Sequence, residues 1–292
     1  MTNFRLARVV LWMTGALLSF STMAVSIRQL AGLLNLFEIL AIRNITGVVV
    51  LTALAIARPD FRRGIRTQRI GLHLIRNVVH AVSQFAWAQS LTLLPLATVF
   101  ALEFTMPAWT AVLAVFFLHE HLTPSRVGVV IFGILGVLVI LRPGIDSFHL
   151  GSILVLAAAF GYAITLVATK KLTATDSTFT IVFWMNVIQL PMMLAGSNPA
   201  SFLRLHGVAF VPVLGLGIAG LSAHYCLTNA FRAGDASVVV PIDFMRIPLI
   251  AIVGWWFYGE VLDAFVFVGA ALIIVGVLWN LRAEAMRPIE AK

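Results

Sequence analysis

Hydrophobic positions in this chain do not alternate in short amphipathic patterns. They run in blocks of about twenty residues, separated by short polar gaps. A helix rises ~1.5 Å per residue, so about 20 apolar residues cross a ~30 Å hydrocarbon layer. Ten such blocks occur, at 8–27, 36–57, 70–93, 95–118, 125–141, 150–169, 178–195, 208–231, 236–257 and 264–281. The pattern predicts an all-α, polytopic membrane protein with ten transmembrane helices. Pro95 divides the third block from the fourth inside "LTLLPLATVF", because proline supplies no backbone donor to a helix. Gly234 marks the matching gap after the eighth, in "FRAGDASVVV". The first block follows Arg5 and Arg8 without a small-residue cleavage site, so it is expected to stay as a helix.

Composition agrees with this pattern and narrows the function. The 292 residues are 61% hydrophobic and only 11% charged, too few charges to cover a soluble globule. A soluble enzyme, a disordered chain and a disulfide scaffold are thereby excluded; the single cysteine, Cys226, has no partner within the chain. The net charge of +8 comes from basic residues in the gaps, with no basic groove for nucleic acid. Placing the gap "ARPDFRRGIRTQRIG" in the cytoplasm puts both termini there as well. Fourteen Lys and Arg then lie inside, three (Arg28, Arg142, Arg204) outside and three (Arg43, Arg76, Arg246) within helices. That bias is the positive-inside distribution of a multi-pass plasma-membrane protein. In a bacterium this is the inner membrane.

The chain also repeats itself. Residues 102–142 and 242–282 share eleven identities in 41 positions, among them Phe104/Phe244, Glu120/Glu260, Gly136/Gly276 and Arg142/Arg282. Glu103 and Asp243 match in chemistry. The expected units are 1–145 and 146–292, each of five helices, forming one structural unit. An odd number of helices per copy inverts the second copy in the bilayer. Inverted repeats around a midplane site are the architecture of many secondary transporters.

These residues resemble a known family. Arg76 opening the third helix, Ser90-Leu91 through Pro95-Leu96-Ala97, Pro107, Glu120, the second-half Tyr258-Gly259-Glu260, and "FEILAIRN" from Phe37 to Asn44 are similar to the EamA branch of the drug/metabolite transporter superfamily. His119 and Glu103 depart from that pattern, which usually has glycine and a small or uncharged residue there. The resemblance implies ten helices, a central cavity lined mainly by helices 1, 3, 4, 6, 8 and 9, and carriage of small organic solutes. It does not imply which solute.

Polar residues inside the blocks are the candidate site, because lipid cannot satisfy them. Arg76, His80, Gln84 and Trp87 recur at spacings of 4, 4 and 3, on one helix face. Arg76 is also within snorkelling reach of the cytoplasm. Glu103 and Asp243 occupy equivalent repeat positions and are the candidate proton carriers, Asp243 having Arg246 three residues on as an alternative partner. Arg43, beside Asn44, is a further intramembrane cation. Tyr162, His224 and Tyr225 are expected to line the opposite wall. Trp109 and Trp184 read as packing or interface anchors, and Glu120 and Glu260 as capping or gating contacts at helix ends.

No catalytic residue, metal site or cofactor is expected. "HEH" at 119–121 lacks the i, i+4 spacing of a zinc helix, and no phosphate-binding loop or nucleophile elbow is present. The expected function is secondary transport of a small organic metabolite by alternating access, through proton coupling or exchange. Amino acids, nucleosides and cofactor-like molecules fit, and three arginines against two acids favour a solute with an anionic group. The alternatives are a multidrug or toxic-metabolite exporter of the same fold and, from another class, an intramembrane enzyme or a non-transporting sensor. The expected partners are the solute and membrane lipid, with the chain a monomer or homodimer.

Overall fold

A computed structural model describes residues 3–63, 65–118, 123–142, 149–202, 210–233, 239 and 242–286. All regular structure among them is helical. The elements are α1 (Asn3–Leu30), α2 (Leu36–Ala57), the short α3 (Pro59–Arg63), α4 (Ile70–Leu93), α5 (Leu96–Glu103), α6 (Met106–Leu118) and α7 (Pro124–Leu141). They continue with α8 (Leu150–Leu172), α9 (Thr178–Ala195), the short α10 (Pro199–Phe202), α11 (Phe210–Ala233), α12 (Arg246–Tyr258) and α13 (Ala264–Ala285).

Among the described residues, eight helices, α5–α6 counted as one, are long and apolar enough to cross a membrane. Of the two other expected blocks, α4 has the length, 24 residues, but carries the polar stripe. The ninth block contributes α12, with 13 residues, among the described residues. The surface confirms the solvent. Ile56, Val211, Trp256 and Phe116 are exposed, while Arg43, Asn44, Asn77 and Gln189 are buried. Apolar groups outside and polar groups within suit a lipid surround. The protein is an all-α, multi-pass membrane protein.

Local signals set the helix ends. Asn35 accepts the Glu38 N–H at 2.9 Å, and Glu38 accepts the Asn35 N–H at 2.8 Å, a capping box that starts α2. Thr123 caps α7 ahead of Pro124, and Ser177 caps α9. Gly259, at φ 64, closes α12 in the left-handed conformation that an L side chain resists.

Two helical blocks are interrupted inside. The fourth breaks into α5 and α6 at Phe104 and Thr105. Pro107 removes a backbone donor just beyond, and the Thr105 hydroxyl donates to the Leu102 carbonyl at 2.7 Å. The ninth turns at Phe244 and Met245, 140 residues on, ahead of Pro248. The Phe104 and Phe244 rings meet edge to face, 4.9 Å apart. The two breaks thus face each other at the centre of the bundle.

Helix pairing surrounds that centre. α1 lies along α11 and α4 along α8, while α2 packs on α9, α5 on α12 and α7 on α13. Glycines permit the close crossings, as small residues do between membrane helices. A Cβ on Gly136 would lie 2.6 Å from the Gly269 carbonyl oxygen, and one on Gly269 the same distance from Gly136.

Candidate functional site

The α4 stripe faces inward as its spacing predicts. Arg76, His80, Gln84 and Trp87 are all buried. Three of them meet neighbouring helices. The Trp87 indole donates to Glu103 Oε2 at 2.8 Å. His80 Nδ1 receives the Gln189 amide of α9 at 2.9 Å, which puts the ring's proton on Nε2, and the His80 ring lies 5.5 Å from Tyr162 of α8. Arg76 donates to the Thr169 hydroxyl at 2.9 Å and to Asn77 Oδ1 at 2.6 Å. It is held by neutral oxygens inside the bundle.

At the facing breaks lies a cluster of charges. Arg246 pairs with Asp243 three residues earlier, and its other terminal nitrogen is 3.7 Å from Glu103. The guanidinium sits over the Phe20 ring at 4.0 Å, with Phe104 at 5.5 Å and Phe100 at 5.8 Å. Glu103 and Asp243 therefore share one cation. Aromatic faces around the guanidinium add cation–π attraction.

Arg43 lies in different surroundings. It lines a small cavity, with room for about one water, together with Val182, Met185 and Asn186 of α9 and Gly220, Leu221 and His224 of α11. His224 also meets Phe20, ring centres 5.9 Å apart. Phe20 thus touches both regions. Among the described residues no carboxylate lies within ion-pair distance of Arg43, and its buried Nη1 has no hydrogen-bond partner. Asn44 beside it is buried with both amide atoms unpartnered.

One expected residue lies elsewhere. Tyr225 is 64% exposed and packs edge-on to Trp12, on the outer side of the α1–α11 pair. A single step along a helix turns the side chain by ~100°, so His224 and Tyr225 cannot share a wall. Hydroxyls in the neighbouring helices are spent on backbone: Thr165 donates to the Gly161 carbonyl and Thr14 to the Val10 carbonyl. Trp184 donates to the Ile65 carbonyl, anchoring the basic loop, and Trp109 packs on Phe160. Glu120, with the rest of 119–121, lies outside the described residues. Phe20, Asn186, Gln189 and Gly220 complete the site without having been singled out. The polar pair Asn186 and Gln189, three apart in the apolar "FWMNVIQL", was the available signal.

Both ends of the bundle are tied. At the end of α1, Arg28 pairs with Glu260 and donates to the Leu91 carbonyl at 2.9 Å. Glu260 Oε2 accepts the Leu96 N–H at 2.8 Å, and the Arg28 guanidinium lies 4.9 Å over Tyr258. Pro95 frees these backbone groups by breaking the helix. Glu260 thus caps the start of α5, where its oxygen takes the Leu96 N–H. At the start of α4, Asp176 Oδ2 accepts from the Thr67 hydroxyl and bonds His73 Nε2, both at 2.7 Å. Burial pushes the Asp176 carboxyl up, but hydrogen bonds from Thr67, His73 and Thr175 and the His73 charge outweigh it and hold it below the usual range.

Comparison with known proteins places this geometry. Residues 7–142 and 149–282 each match the model of the EamA-like transporter family. A "Riboflavin transporter" of Rhizobium johnstonii is 30% identical over 277 residues, covering 95% of this chain and 92% of the relative. An "S-adenosylmethionine uptake transporter" of Rickettsia felis is 25% identical, covering 94% and 92%. A "Pseudopaline exporter CntI" of Pseudomonas aeruginosa is 26% identical, covering 88% and 90%. A solved structure, "Crystal structure of protein", superposes with a TM-score of 0.64 at 19% identity, over 97% of this chain and 99% of that one. That likeness concerns the fold.

Proposed function

Since the chain belongs to the EamA-like transporter family, we propose that it is a secondary carrier that moves a small organic metabolite across the membrane by alternating access. The observation that carries this proposal is the cluster of Glu103, Asp243 and Arg246 where two interrupted helices face each other. Interrupted helices at a midplane site are a recurrent transporter device. The equal placement of the breaks, the matched pairs α1–α11 and α4–α8, and the double family match support ten crossings built as two inverted five-helix repeats. With the basic loop in the cytoplasm, both termini are cytoplasmic and the Arg28–Glu260 tie closes the outer end.

Substrate-facing groups are Arg43, Arg76, His80, Gln84, Trp87, Glu103, Tyr162, His224, Asp243 and Arg246, with Tyr225 set aside by its exposure. The Trp87, Tyr162, Phe20 and Phe100 rings suit a solute with a flat part, and the surplus of cations an anionic group. A cofactor-like solute of the kind named for the riboflavin and S-adenosylmethionine relatives satisfies the first requirement. Glu103 and Asp243, which meet one guanidinium, are the coupling acids: proton movement to and from them as the cluster opens to each side drives accumulation.

Uptake of labelled riboflavin and S-adenosylmethionine into proteoliposomes, with and without an imposed pH gradient, tests this. Accumulation of either solute is expected to follow the gradient. Glu103→Gln or Asp243→Asn is expected to uncouple it, leaving exchange at least tenfold faster than gradient-driven accumulation. Gradient-driven uptake equal to wild type in both variants removes the acids from coupling.

A further inference from the structure

Three arginines are buried among the described residues, and the structure treats them differently. Arg246 has Asp243 and Glu103. Arg76 has Thr169 and Asn77. Arg43 is 3% exposed and, among the described residues, has no ion-pair or hydrogen-bond partner for its guanidinium. An isolated ion in a low-dielectric interior costs several kcal/mol even after relaxation. Such a group persists where something else completes it.

The surroundings define what that is. Gly220 of α11 lets the Arg43 side chain lie flat against the helix: a Cβ there would stand 3.0 Å from Arg43 Nε and 3.1 Å from Cδ. The guanidinium is thereby held beside the cavity bounded by Asn186 and His224. No carboxylate lines that cavity. Its room, about one water, suits the oxygen of a small group and not a whole organic solute. A guanidinium fork recognises planar oxyanions through paired, charge-assisted hydrogen bonds.

We infer that Arg43, backed by Gly220 and flanked by Asn186 and His224, is an oxyanion subsite that takes the carboxylate or phosphate end of the carried solute. The assignment rests on the carrier function proposed above and deepens it. It names the charged end of the solute and separates this subsite from the Glu103–Asp243–Arg246 cluster across Phe20.

Thermal unfolding of the purified full chain in detergent tests it, at constant ionic strength, with chloride replaced by acetate or by inorganic phosphate. The bound anion is expected to raise the Tm by roughly 2 °C or more. Arg43→Gln abolishes the rise, Arg43→Lys retains part of it, and Arg62→Gln, in the exposed basic loop, retains all. A rise with acetate alone points to a carboxylate-bearing solute, and with phosphate alone to a phosphate-bearing one. Should Arg43→Gln give no cooperative transition, Gly220→Ala, which displaces the guanidinium, is expected to lose the rise instead. Equal Tm in all three salts, or a rise that survives in Arg43→Gln, overturns the subsite. Counterflow measured on the same preparation keeps the two claims apart. Transport without an anion effect defeats the subsite alone. An Arg43-dependent anion effect without transport of any tested solute defeats the carrier function alone.

Discussion

Arg246 and Arg43 are equally buried, at 4% and 3% exposure, yet one is surrounded by acids and the other by none. The Arg246 region is closed electrically: two carboxylates, one guanidinium, an indole donor and three aromatic faces. Arg43 Nη1 and Arg246 Nε both lack a hydrogen-bond partner, so the difference is one of charge: the Arg43 region has a small cavity and, among the described residues, no carboxylate. In the carrier proposed above, the paired cation belongs to the coupling cluster of Glu103 and Asp243, and the unpaired one meets the anionic end of the solute. Phe20, touching Arg246 on one side and His224 on the other, separates the two by a single ring.

Stability measurements break or sharpen this contrast most strongly. Arg246→Gln strands two carboxylates in the interior and is expected to cost about 3–5 kcal/mol. Arg43→Gln removes an unpaired charge and is expected to leave the Tm unchanged or higher. Thermal unfolding of both variants decides it; equal losses would erase the distinction between the regions.

A third arginine sharpens the comparison at the periphery. Arg28 is paired like Arg246, but through Glu260 it also holds backbone groups on both sides of Pro95. Glu260→Gln is expected to weaken that tie by about 1–3 kcal/mol. Hydrogen exchange at the Leu96 amide should then quicken between roughly fivefold and a hundredfold. Unchanged exchange there would mean that the tie holds nothing closed.

The smallest effect belongs to the Asp176–His73 pair. Asp176→Asn removes the partner of His73 and is expected to cost about 1 kcal/mol at neutral pH. The folded carboxyl is held below its ordinary value. Its contribution is therefore complete above about pH 4, the unfolded value, and is lost as pH falls below it. The Tm gap between wild type and variant should narrow on acidification below that point. A gap independent of pH would assign the loss to packing.

Much of this was legible in the chain. The blocks 36–57, 70–93 and 178–195 coincide with α2, α4 and α9 to the residue, because caps and proline mark their ends. The inward stripe of α4 followed from 3.6-residue periodicity. The breaks at 104–105 and 244–245 were not foreseen: hydrophobicity runs on through both, and only the prolines beyond them hint at a turn. Tyr225 was misplaced because residue type says nothing about which of two adjacent positions faces inward. Arg43's want of a partner is a fact of three helices meeting, α2, α9 and α11, and no local pattern records it.

The central claim is that one interior site opens to each side in turn. It is tested most directly by placing a cysteine at Gln84, on the buried α4 stripe, with Cys226 replaced by serine. Membrane-impermeant thiol reagent is then applied separately to either face of oriented vesicles. The account predicts labelling from both faces and a slower rate from each when a transported solute is present. Labelling from one face only, at a rate no solute alters, would contradict it.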